Sequence, residues 1–263
     1  MFQPLFIVLT IVAIYLVVYY HIKQNCSKIE SYTFTAKEPT VLLDTPSNNE
    51  PFQSENILFV AGTHGNEEGG SYGLLKLLDD FQTGKLKLKR GKITIVPKAN
   101  PCGLKLSLRW QPQQLFGFHP PDLNRNYPHY SRPIARCDVS KYLSDLAKGR
   151  TFVYDGHEGW GFTKIQRDSM GSGVYPGKSP YERDLAERAV NALNTTISNT
   201  DLQFISQPEW PDVPGSLRMY CDMQKIPYLL VETSGQNDVQ PVETRRDQHY
   251  FLAKFVLEDK GMI

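Results

Sequence analysis

The stretch Ile57-Leu58-Phe59-Val60-Ala61-Gly62-Thr63-His64-Gly65-Asn66-Glu67 decides how the rest of the chain is read. It opens on an apolar run without polar alternation, the pattern of a strand buried on both faces. A glycine-punctuated polar turn follows, and Leu74, Leu75, Leu77, Leu78 and Phe81 then recur at helical spacing. The same order returns along the chain. Residues 93–96 form an apolar run followed by Lys98-Ala99-Asn100-Pro101-Cys102-Gly103. Residues 151–154 lead into Asp155-Gly156-His157-Glu158-Gly159, and residues 227–231 into Glu232-Thr233-Ser234-Gly235. Helical patterns cover residues 138–147, 181–193 and 243–257. Strands alternating with helices predict an α/β fold with a mainly parallel sheet. Ligands bind outside the carboxyl ends of such strands, so the four polar clusters are expected to converge there.

The chemistry in those clusters is specific in kind. His64 and Glu67 are separated by two residues in a turn that Gly62 and Gly65 allow to be tight. His157 would complete a His2Glu set, the ligand type of catalytic zinc with an open fourth position. Glu232 ends an apolar strand and reads either as a general base or as a capping or ion-paired carboxylate. Asn124-Arg125, within Asp122-Leu123-Asn124-Arg125-Asn126-Tyr127-Pro128, offers a planar donor pair for a carboxylate, or an ordinary surface turn. Arg109 is a candidate for holding a developing oxyanion. Asp155 is either a partner that orients a metal-binding histidine or a turn residue. The stretch 98–128 has little periodic structure, and a loop of that length in a compact domain is expected to be functional.

The bulk numbers narrow the classes. The chain has 263 residues, 22% of them charged, with a formal net charge of +1. That balance gives no footprint for nucleic acid, and no nucleic-acid partner is expected. The four cysteines form no CxxC pair and leave the redox compartment open. Residues 4–20 read PLFIVLTIVAIYLVVYY, long enough as a helix to approach the width of a bilayer core. With no basic start and no small-residue cleavage site, the segment is expected to remain as a single-pass anchor. The lysines that follow it place the remainder on the cytoplasmic side. The expected organisation is an anchor at 1–25, a linker with the first strands at 26–55, including a turn cluster at 45–51, and a catalytic domain at 56–263.

Taken in order, Gly62-Thr63-His64-Gly65-Asn66-Glu67, Asn100-Pro101 with Gly103, Arg109, Asp122 to Pro128, His157 and Glu232 resemble the zinc metallocarboxypeptidase superfamily. That superfamily includes the succinylglutamate desuccinylase and aspartoacylase branch. The resemblance implies a three-layer α/β/α sandwich with a mixed, mostly parallel sheet. It implies one Zn2+ held by His64, Glu67 and His157, with Glu232 as general base and Arg109 polarising the scissile carbonyl. It also implies that Asn124 and Arg125 grip the substrate carboxylate. The implied reaction is hydrolysis of an amide bond next to a free carboxylate, on a small peptide or an N-acyl amino acid. The short core is closer to small bacterial murein-peptide amidases and carboxypeptidases, which favours a peptidase. An N-acyl-amino-acid deacylase is the same-class alternative, and a zinc-free binding protein is a more distant one. Tyr175, Tyr220 and Trp210 are candidates for the family's substrate-covering aromatic position. Glu158-Gly159-Trp160 has no counterpart there.

Overall fold

The computed structural model describes residues 3–25, 28–36, 55–112, 121–209 and 211–263. Its centre is a sheet of seven strands: β1 (Tyr32–Thr35), β2 (Asn56–Ala61), β3 (Lys92–Val96), β4 (Phe152–Gly159), β5 (Gly173–Pro176), β6 (Ile205–Ser206) and β7 (Tyr228–Ser234). They lie in the order β1-β3-β2-β4-β7-β5-β6. The central β3, β2, β4 and β7 pair in parallel. β1 joins β3, and β5 joins β7, in antiparallel fashion. The sheet is therefore mixed with a parallel centre, and the four central strands are the four apolar runs of the sequence.

Alternation within β2 divides its side chains between two cores. Ile57, Phe59 and Ala61 pack with Leu74 and Leu77 of α2 (Glu68–Gln82), Leu185 and Ala189 of α5 (Pro180–Asn194), and Leu252 and Val256 of α7 (Val242–Asp259). Leu58 and Val60 pack on the other face, with Leu143 of α4 (Asp138–Ala147) and Leu217 and Cys221 of α6 (Leu217–Met223). The strands thus form the middle layer of three, their parallel runs covered on both sides as such sheets require. α5 shows why its sequence starts a helix where it does: Ser179 and Glu182 form a reciprocal capping box, with Pro180 in the first turn.

Residues 3–25 form a helix, α1 (Gln3–Asn25), but no helix among the described residues is long and apolar enough to cross a membrane. The membrane-spanning anchor, the single-pass membrane localisation and the cytoplasmic placement built on them are therefore withdrawn. The turn cluster at 45–51 lies outside the described residues.

Two strands run further than their apolar stretches. β4 continues through Asp155, His157 and Glu158 to Gly159, and β7 through Glu232 to Ser234, paired as far as Gly159 opposite Ser234. The polar groups expected in loops after these strands are strand residues, held by ladder hydrogen bonds at the carboxyl ends.

Candidate metal centre and active-site cleft

His157 and Glu232 stand opposite each other on β4 and β7. In a parallel ladder, paired residues point to the same face, here the α4/α6 side on which Val153 and Leu230 also lie. Both are buried, at 2% and 7% exposure.

His64 and Glu67 reach the same place from the turn after β2. Gly62 takes a φ of +69°, and Gly65 packs so closely on Gly103 and Leu108 that a side chain there would overlap backbone atoms. The backbone N–H of Gly65 donates to the Leu108 carbonyl at 3.0 Å. Asn100 caps α3 (Pro101–Leu106) by accepting from the Gly103 N–H at 3.0 Å, and its own amide donates to the Trp110 carbonyl at 3.1 Å. These bonds explain the Asn-Pro-x-Gly motif: they pin residues 108–110 against the His64 turn. Arg109 is thereby presented to Glu67, donating to its Oε1 at 3.0 Å, and to Asp122 Oδ2 at 3.3 Å.

The ligand atoms of His64, Glu67 and His157 all lie within 4.8 Å of one another. Nδ1 of His64 is 2.7 Å from Glu67 Oε1, Nδ1 of His157 is 2.8 Å from Glu67 Oε2, and the two Nδ1 atoms are 3.2 Å apart. The far ring nitrogens each face another carboxylate. His64 Nε2 is 3.0 Å from Asp122 Oδ1, and His157 Nε2 is 3.2 Å from Asp155 Oδ1. A proton on each Nε2 turns both Nδ1 lone pairs, together with a carboxylate, toward one point. Such a set repels itself unless a cation or added protons sit between its members. Imidazoles backed by carboxylates are the usual arrangement around a bound metal, so these residues fit a divalent cation.

The electrostatics follow from this crowding. Burial raises the Glu67 carboxyl, but His64 and His157 outweigh it and hold it well below the usual carboxylate range. Burial opposes the charged form of His157, yet Asp155 and Glu67 push its imidazole well above the ordinary value. Asp122 is likewise pulled down, against its burial, by His64 and Arg109. Glu232 goes the other way. Burial drives its carboxyl well up, Glu67 and Asp155 add to the rise, and His157 and Arg109 oppose it.

One cavity of about 280 Å³ opens over the cluster. It is lined by His64, Glu67, Arg109, Asn124, Arg125, His157 and Glu232, with Trp160 and Arg218. The structure thus brings together every site residue expected from sequence, with Asp155 fully buried behind His157 and bonded to the Tyr228 hydroxyl at 2.6 Å. Asn124 also has a scaffolding contact: its Oδ1 accepts from the Leu217 N–H at 3.0 Å and so fixes the start of α6. Neither tyrosine candidate lines the cavity. The Tyr175 hydroxyl is spent on the Met170 carbonyl and that of Tyr220 on the Ser144 carbonyl. Trp210 lies outside the described residues.

Three features of the site have no role assigned from the sequence. Asp122, which opens the Asp122-to-Pro128 motif, is the first. Gln236 donates to Glu67 Oε1 at 3.0 Å and to the Glu158 carbonyl at 2.6 Å, and a signal for it was available in the polar residues that follow every central strand. The third is a buried polar group on the opposite face, around Glu158. Its carboxylate accepts from Arg245 at 2.8 Å and from the Thr233 hydroxyl at 3.0 Å, and burial still pushes it up to about 7. Nearby, His249 is held neutral by burial, at about 3; its Nε2 lies 3.1 Å from the His157 carbonyl, and its Nδ1 lies 3.0 Å from the Tyr154 hydroxyl.

This three-layer fold, with a His-Glu-His cluster at the carboxyl end of a mixed sheet, is similar to that of solved carboxypeptidases and metallopeptidases. Residues 53–160 match the succinylglutamate desuccinylase/aspartoacylase catalytic domain family. The tripeptide-bound cell shape determinant Csd4 of Helicobacter pylori shares 16% identity over 90% of this chain and 56% of its own, with a TM-score of 0.67. The mDAP-bound form of Csd4, a D,L-carboxypeptidase, superposes at a TM-score of 0.63 with 16% identity, over 80% of this chain and 52% of that one. Carboxypeptidase A from Helicoverpa armigera does so at 0.58 with 15% identity, over 78% and 60%. The chain spans little more than half the length of the Csd4 structures. No curated protein sequence matches it.

Proposed function

We propose that the chain is a zinc-dependent hydrolase that cleaves an amide bond next to a free carboxylate, acting as a carboxypeptidase-like peptidase, with residues 56–263 as its catalytic domain. The observation that carries this reading is the convergence of His64, Glu67 and His157 within 4.8 Å beneath a cavity that Glu232, Arg109, Asn124 and Arg125 also line. His64 and His157, each through Nδ1, and Glu67 would hold the ion. Zinc supplies Lewis acidity there, polarising a carbonyl and lowering the pKa of water.

The chain's own residues do the rest. Glu232, whose carboxyl burial raises well above the usual carboxylate range, takes the proton of the attacking water and delivers it to the leaving amine. Arg109, already aimed at Glu67, holds the negative charge that develops on the carbonyl oxygen. Asn124 and Arg125, which line the same cavity, dock the substrate carboxylate. Asp122, bonded to Nε2 of His64, holds that imidazole in the tautomer that presents Nδ1, and Asp155 faces Nε2 of His157 at 3.2 Å.

The family match over residues 53–160 favours a second reading, an N-acyl-amino-acid deacylase. One experiment separates them. The purified chain is assayed by elemental analysis, and by mass spectrometry on C-terminal peptides and on acetyl- and succinyl-amino acids, with and without a chelator. One zinc per chain and chelator-sensitive release of C-terminal residues support the peptidase. Selective release of acyl groups moves the assignment to the deacylase. A chain without metal and without turnover refutes the hydrolase reading.

A further inference from the structure

The side-chain group around Glu158 lies on the face of the sheet away from the cleft, yet it is connected to the proposed metal ligands. β4 turns the Glu158 side chain to the α7 face, one residue after His157. Arg245 of α7 donates through Nη1 to Glu158 Oε2 at 2.8 Å and to the Gly235 carbonyl at 3.3 Å. Glu158 belongs to β4, and Gly235 is the residue after β7. One guanidinium therefore ties together the ends of the two strands that carry His157 and Glu232. The backbone between them is closed by a further bond, from the Gly235 N–H to the Gly159 carbonyl at 3.0 Å.

What this tie fixes is Glu67. The residue after Gly235 is Gln236, whose amide donates to Glu67 Oε1 and to the Glu158 carbonyl. The backbone N–H of Glu158 donates to Glu67 Oε2 at 3.2 Å. Both oxygens of the acidic ligand are thus held by donors from the segment that Arg245 clamps. Space around the clamp is closed as well: a Cβ at Gly69 or Gly235 would run into the Glu158 carboxylate. Side chains this confined transmit a displacement to their neighbours instead of absorbing it.

We infer that Arg245 is a positioning residue for the metal centre, acting from the opposite face of the sheet through Glu158 and Gly235 to aim Gln236 and the Glu158 N–H at Glu67. This rests on the proposed reading of His64, Glu67 and His157 as metal ligands. Partners beyond the ligands themselves set metal affinity by ten- to a hundredfold in other sites.

The test is zinc affinity of the full chain, measured by competition with a chromophoric chelator, for wild type, Arg245→Ala, Gln236→Leu and the double variant. Arg245→Ala is expected to weaken zinc binding by about tenfold or more. Because it acts through Gln236, the double variant should be little weaker than the weaker single variant. Arg245→Lys should recover part of the loss. Leu193→Ala, a buried apolar truncation on α5, serves as the control that lowers thermal stability without moving zinc affinity. Should Arg245→Ala fail to fold, Glu158→Gln breaks the same tie and takes its place. Zinc affinity within twofold of wild type, or losses that simply multiply in the double variant, overturn the inference. A wild type that binds no zinc refutes the metal reading instead. Amide exchange at Glu158 then decides the clamp without metal: tenfold faster exchange in Arg245→Ala supports it, and an unchanged rate overturns it.

Discussion

Replacing Asp122 with asparagine keeps the side chain's shape and removes one charge and one acceptor. Asp122 Oδ1 serves His64 Nε2 at 3.0 Å and the Asn124 N–H at 2.8 Å, while Oδ2 serves Arg109 at 3.3 Å. An amide has one oxygen for these three donors. If that oxygen stays on His64, the amide N–H groups face the Arg109 guanidinium, donor against donor. If it turns to Arg109, the His64 ring loses the partner that fixes its tautomer. The first loss is modest, because the Arg109 side chain is 30% exposed and such a pair is worth under about 1 kcal/mol. The second converts a charge-assisted bond into a neutral or missing one, costing about 1–2 kcal/mol at a buried site. The expected result is a ten- to hundredfold weaker zinc affinity, equivalent to about 1.4–2.7 kcal/mol. Chelator competition at fixed pH measures it directly, with Asp145→Asn on the exposed face of α4 as a matched charge control. A zinc dissociation constant within twofold of wild type would refute the tautomer argument.

Further outcomes follow from the cleft. Glu232→Gln should retain zinc and fold while kcat falls by at least a hundredfold, the contribution typical of a placed acid–base group; near-normal kcat rules Glu232 out of proton transfer. Arg125→Ala should narrow the preference for free-acid over amidated substrates, read as a ratio of kcat/KM values; an unchanged ratio transfers the carboxylate to Arg218, which lines the same cavity. Gly65→Ala should cost about 3 kcal/mol or more, because the added methyl meets the backbone of Gly103 and Leu108. Chemical denaturation tests this, and a loss under 1 kcal/mol would show that the turn can open.

The sheet's parallel centre was legible because each of its strands is an apolar run long enough to signal burial on both faces. β5 was not, since Gly173-Val174-Tyr175-Pro176 is short, carries a glycine and a proline, and owes its strand state to antiparallel pairing with β7. α6 escaped for a related reason: its few residues include buried Arg218, and its start is set by Asn124 from far earlier in the chain. The candidate residues could be read from strand ends, but the setting of His157 and Glu232 inside β4 and β7 could not. A polar residue in a buried strand is stable only through partners distant in sequence, as Asp155 is through Tyr228. The uncharged run at residues 4–20 reads as a membrane span, but no helix among the described residues is long and apolar enough to be one. Arg245 carries no pattern of its own; its contacts with Glu158 and Gly235 exist only once α7 has packed across the sheet.

The pairing of His157 with Glu232 across two parallel strands gives the protein a built-in indicator of correct assembly. A shift of one residue between β4 and β7 would set Thr233 beside His157 and turn Glu232 to the opposite face. No local rearrangement of side chains could repair that. Turnover in refolded, circularly permuted or fragment-complemented forms of the chain would therefore count only molecules whose two central strands have met in their native alignment. Circular dichroism, which would score a slipped sheet as intact, cannot make that distinction.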